Sequence, residues 1–149
     1  MKKLAIAIVL LLLCASASYA GASEMTDQAH LIQPEELLKV LQAKGEKPLV
    51  LMVGFRVMYA QAHIPGAEFI GPGAEERGLA QLRQRVQTLP RKRSIVLYCG
   101  CCPWSHCPNV DPAFKALREL GFTHVKVLYI PFNFGEDWLK KGYPVEKGQ

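Results

Sequence analysis

The sequence predicts an α/β domain whose central, mostly parallel sheet is flanked by helices on both faces. Three observations carry this expectation. Leu49–Val53, Ser94–Tyr98 and Val125–Ile130 are short runs dominated by apolar and β-branched residues, as expected of strands covered on both sides. Between them lie stretches whose leucines and valines recur every three or four residues, the period of a helix with one buried side. The alternation continues over about a hundred residues, enough for one domain.

Taken in order, structure is expected to begin near Leu31, after a small, polar tether over residues 21–30. Pro34, Glu35 and Glu36 suit a first helical turn, Leu37, Leu38 and Leu41 give it an apolar face, and Gly45 closes it. The strand Leu49–Val53 follows. Gly54–Ala62 is mixed in composition and is assigned no element. His63-Ile64-Pro65-Gly66-Ala67 is a tight turn into a short strand, Glu68–Ile70, which Gly71-Pro72-Gly73 ends. Glu75–Leu89 reads as a helix with Leu79, Leu82, Val86 and Leu89 inward, stopped by Pro90. After the strand ending at Tyr98, a helix is expected over Pro112–Leu120, with Asp111 as N-cap, Pro112 at its first position and Gly121 as C-cap. Asn133 followed by Glu136 marks a last helix that Gly142 and Pro144 terminate, with Trp138 in the core.

The first twenty residues stand apart. Met1-Lys2-Lys3 is a basic start, Leu4–Leu13 is unbroken apolar sequence, and small residues follow at Ala15-Ser16-Ala17 and Ser18-Tyr19-Ala20. This three-part pattern is that of a secretory signal peptide, too short in its apolar run to span a bilayer. A periplasmic or secreted protein without stable membrane insertion is expected, and Cys14 leaves with the signal. Lys2 and Lys3 account for two of the net +5 charges, leaving +3. The remaining cluster, Arg91-Lys92-Arg93, lies beside Pro90 and reads as a solvated turn, so nucleic-acid binding is not indicated.

Chemistry concentrates in one place. Tyr98–Asn109 holds four of the five cysteines and one of the four histidines. Cys99 stands at the carboxyl end of a strand, before a loop that enters a helix, where backbone N–H groups favour a thiolate. In an oxidising compartment neighbouring thiols pair readily. Cys101, Cys102 and Cys107 therefore admit three roles: resolving thiols that attack a group carried on Cys99, a disulfide that staples the loop, or metal ligands. The metal set is Cys99, Cys102, His106 and Cys107, soft donors suited to zinc or monovalent copper. His106 either orients or deprotonates a thiol or faces solvent; Trp104 is either a lid on the loop or a partner contact. His63 reads as a hydrogen-bonded turn histidine.

These residues together resemble a rhodanese-like, or sulfurtransferase, domain over nearly the whole chain after the signal. The resemblance is carried by Pro34-Glu35-Glu36-Leu37-Leu38, the His63–Ala67 turn, the strand ending in Cys99, Leu117 with Gly121-Phe122, and Trp138 with Gly142-Tyr143-Pro144-Val145. It implies that Cys99 is the nucleophile, taking up sulfane sulfur as a persulfide and passing it to a thiophilic acceptor. Gly100, Trp104, Ser105 and His106 are then the loop residues that bind substrate or serve as acid and base. Its partners would be a small sulfur compound and a thiol acceptor such as an exported redox protein, and no cofactor is called for. The alternative is a non-catalytic thiol, disulfide or metal-binding module on the same fold.

The chain departs from the family pattern. Met52-Val53-Gly54 replaces a common Asp-Val-Arg, with Arg56 as the nearest substitute cation, and Ala62 replaces a Gly. Pro131-Phe132-Asn133-Phe134-Gly135 replaces a Gly-Gly turn, and the loop after Cys99 is enlarged. Ser105 stands six residues beyond Cys99, where a phosphatase-like cradle needs an arginine, so phosphoryl chemistry is disfavoured. Neither Lys nor Arg lies between Cys99 and Asp111, so a dianion such as thiosulfate has only backbone N–H groups and a protonated His106 to meet it, and is expected to be a poor donor.

Overall fold

The computed structural model describes residues 28–148; the signal-peptide segment and most of the tether lie outside them. Five strands form one all-parallel sheet: β1 (Leu31–Ile32), β2 (Leu49–Met52), β3 (Glu68–Phe69), β4 (Ile95–Tyr98) and β5 (Val125–Leu128), in the order β1-β5-β4-β2-β3. β4 lies between β2 and β5, with Tyr98 opposite Met52 and Leu97 opposite Val127. Its position explains why Ile95–Tyr98 has no charged residue: both faces are covered.

The four helices divide between those faces. On one, α3 (Glu76–Val86) and α4 (Val110–Glu119) set Leu82, Val86, Phe114 and Leu117 against Leu51, Ile95, Leu97 and Val127. On the other, α1 (Pro34–Gln42), α2 (Arg56–Gln61) and a π-helical turn, Gly135–Leu139, set Leu37, Tyr59 and Trp138 against Val50, Met52, Val96 and Tyr98. Trp138 is fully buried, and its indole N–H donates to the Pro144 carbonyl at 2.9 Å. No helix among the described residues is long and apolar enough to cross a membrane.

Several boundaries differ from expectation. A 3₁₀ turn, Gln28–His30, brings the His30 ring within 5.1 Å of Phe114, so the end of the tether belongs to the fold. Gly54–Ala62 contains α2, whose single buried apolar residue, Tyr59, is too little to produce a periodic signal. α4 begins at Val110 with Asn109 at its N-cap, not at Pro112. Pro112 is still within the first turn, where a missing N–H costs no intrahelical bond.

The His63–Ala67 turn is built as its residues demand. The Ala67 N–H donates to the Ile64 carbonyl at 2.9 Å across Pro65 and Gly66, and Gly66 has φ +73°, the left-handed conformation that position requires. His63 is buried, stacked on Tyr59 at 3.8 Å, with Nδ1 2.7 Å from the Tyr59 carbonyl. Its backbone pairs with Glu146 in both directions, and the Ile64 N–H donates to the Tyr98 hydroxyl at 3.3 Å. The turn thus braces β4 from the side opposite the cysteines.

Candidate active site

Cys99 is the first residue after β4, and its side chain continues the alternation of that strand onto the face occupied by α3 and α4. The following loop doubles back over it. Gly100 takes φ +88°, and a Cβ there would lie 2.9 Å from Cβ of Phe134. The Phe134 N–H donates to the Gly100 carbonyl at 2.9 Å, and the Trp104 N–H to that of Ile130 at the same distance. The loop over residues 131–135 is therefore a clamp on the cysteine segment. Asp137, buried, holds the clamp by accepting from the N–H groups of Phe132 and Asn133 at 2.8 and 3.0 Å.

Four sulfurs result in close array. Cys99 Sγ is 3.2 Å from Cys101 Sγ, which is 3.1 Å from Cys102 Sγ. The sulfurs of Cys99, Cys101 and Cys107 all lie within 4.8 Å of one another. Cys99 and Cys107 are buried, Cys101 and Cys102 partly exposed, and all four are free thiols. The set ranges from a buried pair to the surface. Asn109, only 2% exposed, fixes the inner end: its Nδ2 donates to Cys99 Sγ at 3.5 Å while its Oδ1 accepts from the Ala74 N–H at 3.1 Å. Gly73 is required there, since a Cβ would come within 2.0 Å of the Asn109 carbonyl oxygen.

The start of α4 acts on a different thiol from the one expected. The backbone N–H groups of Asn109 and Val110 are directed at Cys107. A hydrogen bond from Cys99, followed by those two N–H groups, brings the Cys107 thiol down to about 6 against the opposing effect of burial. Cys99 is pushed far up, first by its hydrogen bond to Cys107 and then by burial. Burial, together with the hydrogen bond to Cys101, pushes Cys102 up to about 12. The inner pair, Cys99 and Cys107, thus shares one proton and carries a single negative charge, because burial opposes a second.

The remaining loop residues are placed less centrally. Ser105 and His106 are exposed and 2.9 Å apart, Oγ to Nδ1, within the short 3₁₀ turn Trp104–His106. Among the described residues the donors that lie within 4.8 Å of one another are Cys99, Cys101 and Cys107; His106 and Cys102, two members of the alternative metal set read from sequence, stand outside that group. Trp104 is half-buried and, with Cys102, Cys107, Val110, Leu128 and Ile130, lines a cavity of about 10 Å³ beside Cys99, room for roughly one water. Arg56 does not approach the sulfurs: its guanidinium lies over the Phe69 ring, 4.4 Å from the centroid.

The profile of the rhodanese-like domain matches residues 27–129. The chain belongs to the rhodanese-like domain family. Solved structures of similar fold include the BH2092 protein of Bacillus halodurans, 23% identical with a TM-score of 0.63 over 83% of this chain and 80% of that one. Another is the Alr3790 protein of Anabaena sp., 22% identical with a TM-score of 0.60 over 78% of this chain and 92% of that one. A thiosulfate sulfurtransferase from Pseudomonas aeruginosa is 23% identical with a TM-score of 0.59, over 80% of this chain and 20% of that larger one. At these identities the likeness is one of fold. No curated protein matches the chain significantly.

This rhodanese-like domain explains its own departures from the family pattern. A Cβ on Gly54 would stand 2.9 Å from Cys99 Sγ and 3.1 Å from the Cys99 carbonyl oxygen, so the position has no space for the usual arginine. Ala62 has φ −167°, extended backbone that any residue adopts, so the family's glycine is not required there. Gly54, Asn109 and Phe134 were not singled out by sequence as contributors to the site. The first two carry no local signal, because their importance comes from what faces them across the fold; Phe134 was visible only as part of an atypical loop.

Proposed function

We propose that this protein is an exported sulfurtransferase in which Cys99 carries sulfane sulfur as a persulfide and Cys101 releases it. The observation that carries this reading is the 3.2 Å separation of Cys99 Sγ and Cys101 Sγ at the end of the central strand, within a fold family whose members transfer sulfur. Cys99 and Cys107 share one proton, and its movement to Cys107 as the donor approaches makes Cys99 the nucleophile. The Cys99 thiolate attacks the outer sulfur of the donor, forming the Cys99 persulfide and expelling the rest of the donor with the electron pair of the broken bond. Cys101, as thiolate, then attacks Cys99 Sγ. A Cys99–Cys101 disulfide forms, the outer sulfur leaves as hydrosulfide, and an exported dithiol protein returns the pair to thiols by exchange.

The small cavity favours a donor that first meets the exposed sulfurs, such as a low-molecular-weight persulfide, over thiosulfate, which needs room beside Cys99. Export rests on the sequence of the first twenty residues alone. Incubation of the reduced protein with glutathione persulfide and with thiosulfate, followed by intact mass measurement, tests the reading. One added sulfur is expected from the persulfide, absent in Cys99→Ser and accumulating in Cys101→Ser, which lacks the resolving thiol. Sulfur uptake undiminished in Cys99→Ser would overturn it. If the sulfur maps instead to Cys107, the thiolate at the start of α4 is the carrier.

A further inference from the structure

We propose that Cys99, Cys101 and Cys107 form a three-sulfur site for monovalent copper. The first support is geometric. A metal–sulfur bond of about 2.3 Å in a trigonal arrangement places sulfurs about 4 Å apart. The three sulfurs here lie within 4.8 Å of one another, with the Cys99–Cys101 separation at 3.2 Å, so changes in separation of about 0.8 Å or less surround an ion.

The second support is the ring of donors behind the sulfurs. Cys107 receives the N–H groups of Asn109 and Val110, Cys99 receives the Cys101 N–H, and Asn109 Nδ2 also donates to Cys99. Such contacts stabilise negative charge on ligand sulfurs and fix their orientation. Asn109 is itself locked by Ala74, and Gly54 and Gly73 clear the space on either side.

Coordination number and softness select the ion. Structural zinc takes four ligands. Among the described residues three donors lie within 4.8 Å of one another, and Cys102, although beside Cys101, stands outside that group; His106 is exposed with its Nδ1 on Ser105, and the neighbouring cavity of about 10 Å³ is lined largely by apolar groups, giving little room for completing waters. Monovalent copper is satisfied by sulfur alone and at low coordination. Cys102, partly exposed and 3.1 Å from Cys101, is placed to receive the ion from solvent and pass it inward by ligand exchange. Binding displaces the thiol protons into water, so no oxidation or reduction is involved.

The test is an anaerobic titration of the reduced protein with Cu(I) held by a chromophoric chelator. One copper per chain is expected to be retained. Cys101→Ser is expected to weaken retention by more than about tenfold, and Asn109→Ala by about 10–100-fold, whereas Cys102→Ser and His106→Ala leave the equilibrium affinity unchanged. X-ray absorption on the copper-loaded wild type is independent of whether any variant folds, and three sulfur neighbours are expected. Absence of retained copper, equal affinity in Cys101→Ser, displacement by equimolar Zn(II), or a nitrogen or oxygen neighbour in the absorption spectrum each overturns the proposal.

Discussion

Gly54 faces Cys99 so closely that a Cβ on it would stand 2.9 Å from the thiol sulfur and 3.1 Å from the backbone oxygen of the same residue. Both residues follow adjacent strands of the sheet, so neither backbone can retreat without disturbing β2 or β4. Gly54→Ala is therefore expected to destabilise the fold by roughly 1–3 kcal/mol through overpacking. Denaturant unfolding of the variant measures the cost, and a midpoint equal to wild type would mean that the loop yields freely.

Cys107 gives the site a pH signature. Its folded value is lowered from 9.0 to about 6, so its contribution to stability is fully present above pH 9 and is lost as pH falls through about 6. Ultraviolet absorbance of the folded protein is expected to show one thiolate titrating near pH 6, absent in Cys107→Ser. Because the hydrogen bond from Cys99 is the largest cause, Cys99→Ala is expected to raise that midpoint. As pH rises from 6 to 8 wild type is expected to gain stability relative to Cys107→Ser, following the linkage between proton binding and folding. Cys99 works in the opposite sense: its raised value means that stability falls as pH rises above the ordinary thiol range.

Trp104, half-buried, lines the cavity beside Cys99 while its backbone N–H is fixed to the Ile130 carbonyl. Trp104→Ala removes the ring and keeps that bond. Thiol alkylation at neutral pH, followed by peptide mapping, is expected to proceed faster at Cys107 in the variant by about an order of magnitude, since reactivity follows thiolate character and access. An unchanged rate would show that reagent reaches the inner sulfurs by another route.

Much of the domain was legible because its cues are local. The unbroken runs around Leu51, Leu97 and Val127 identified central strands, and Pro65-Gly66 announced a turn whose φ +73° is now on view. Asn133 likewise marked the last helical turn, where its Oδ1 accepts from the Glu136 N–H at 3.0 Å. The site was legible as a location, not as an arrangement. That α4 starts at Val110, so its N–H groups act on Cys107, depends on Asn109 being held by Ala74 from another loop. β1, two residues long, and α2, with one buried apolar residue, are each too short to leave a period.

The placement of Cys99 depends on counting. Ile95 and Leu97 point toward α3 and α4, Val96 and Tyr98 toward α1 and Trp138, and Cys99 inherits the next turn of that alternation. Deleting one residue between Ile95 and Tyr98 reverses the parity of whatever follows it. The thiol would then be aimed into the layer holding Trp138 and Ile64, while a tyrosine would face the other three sulfurs. A substitution in β4 can be absorbed by neighbours; a change in its length cannot, because four residues of strand hold the frame in which the whole cysteine array is read.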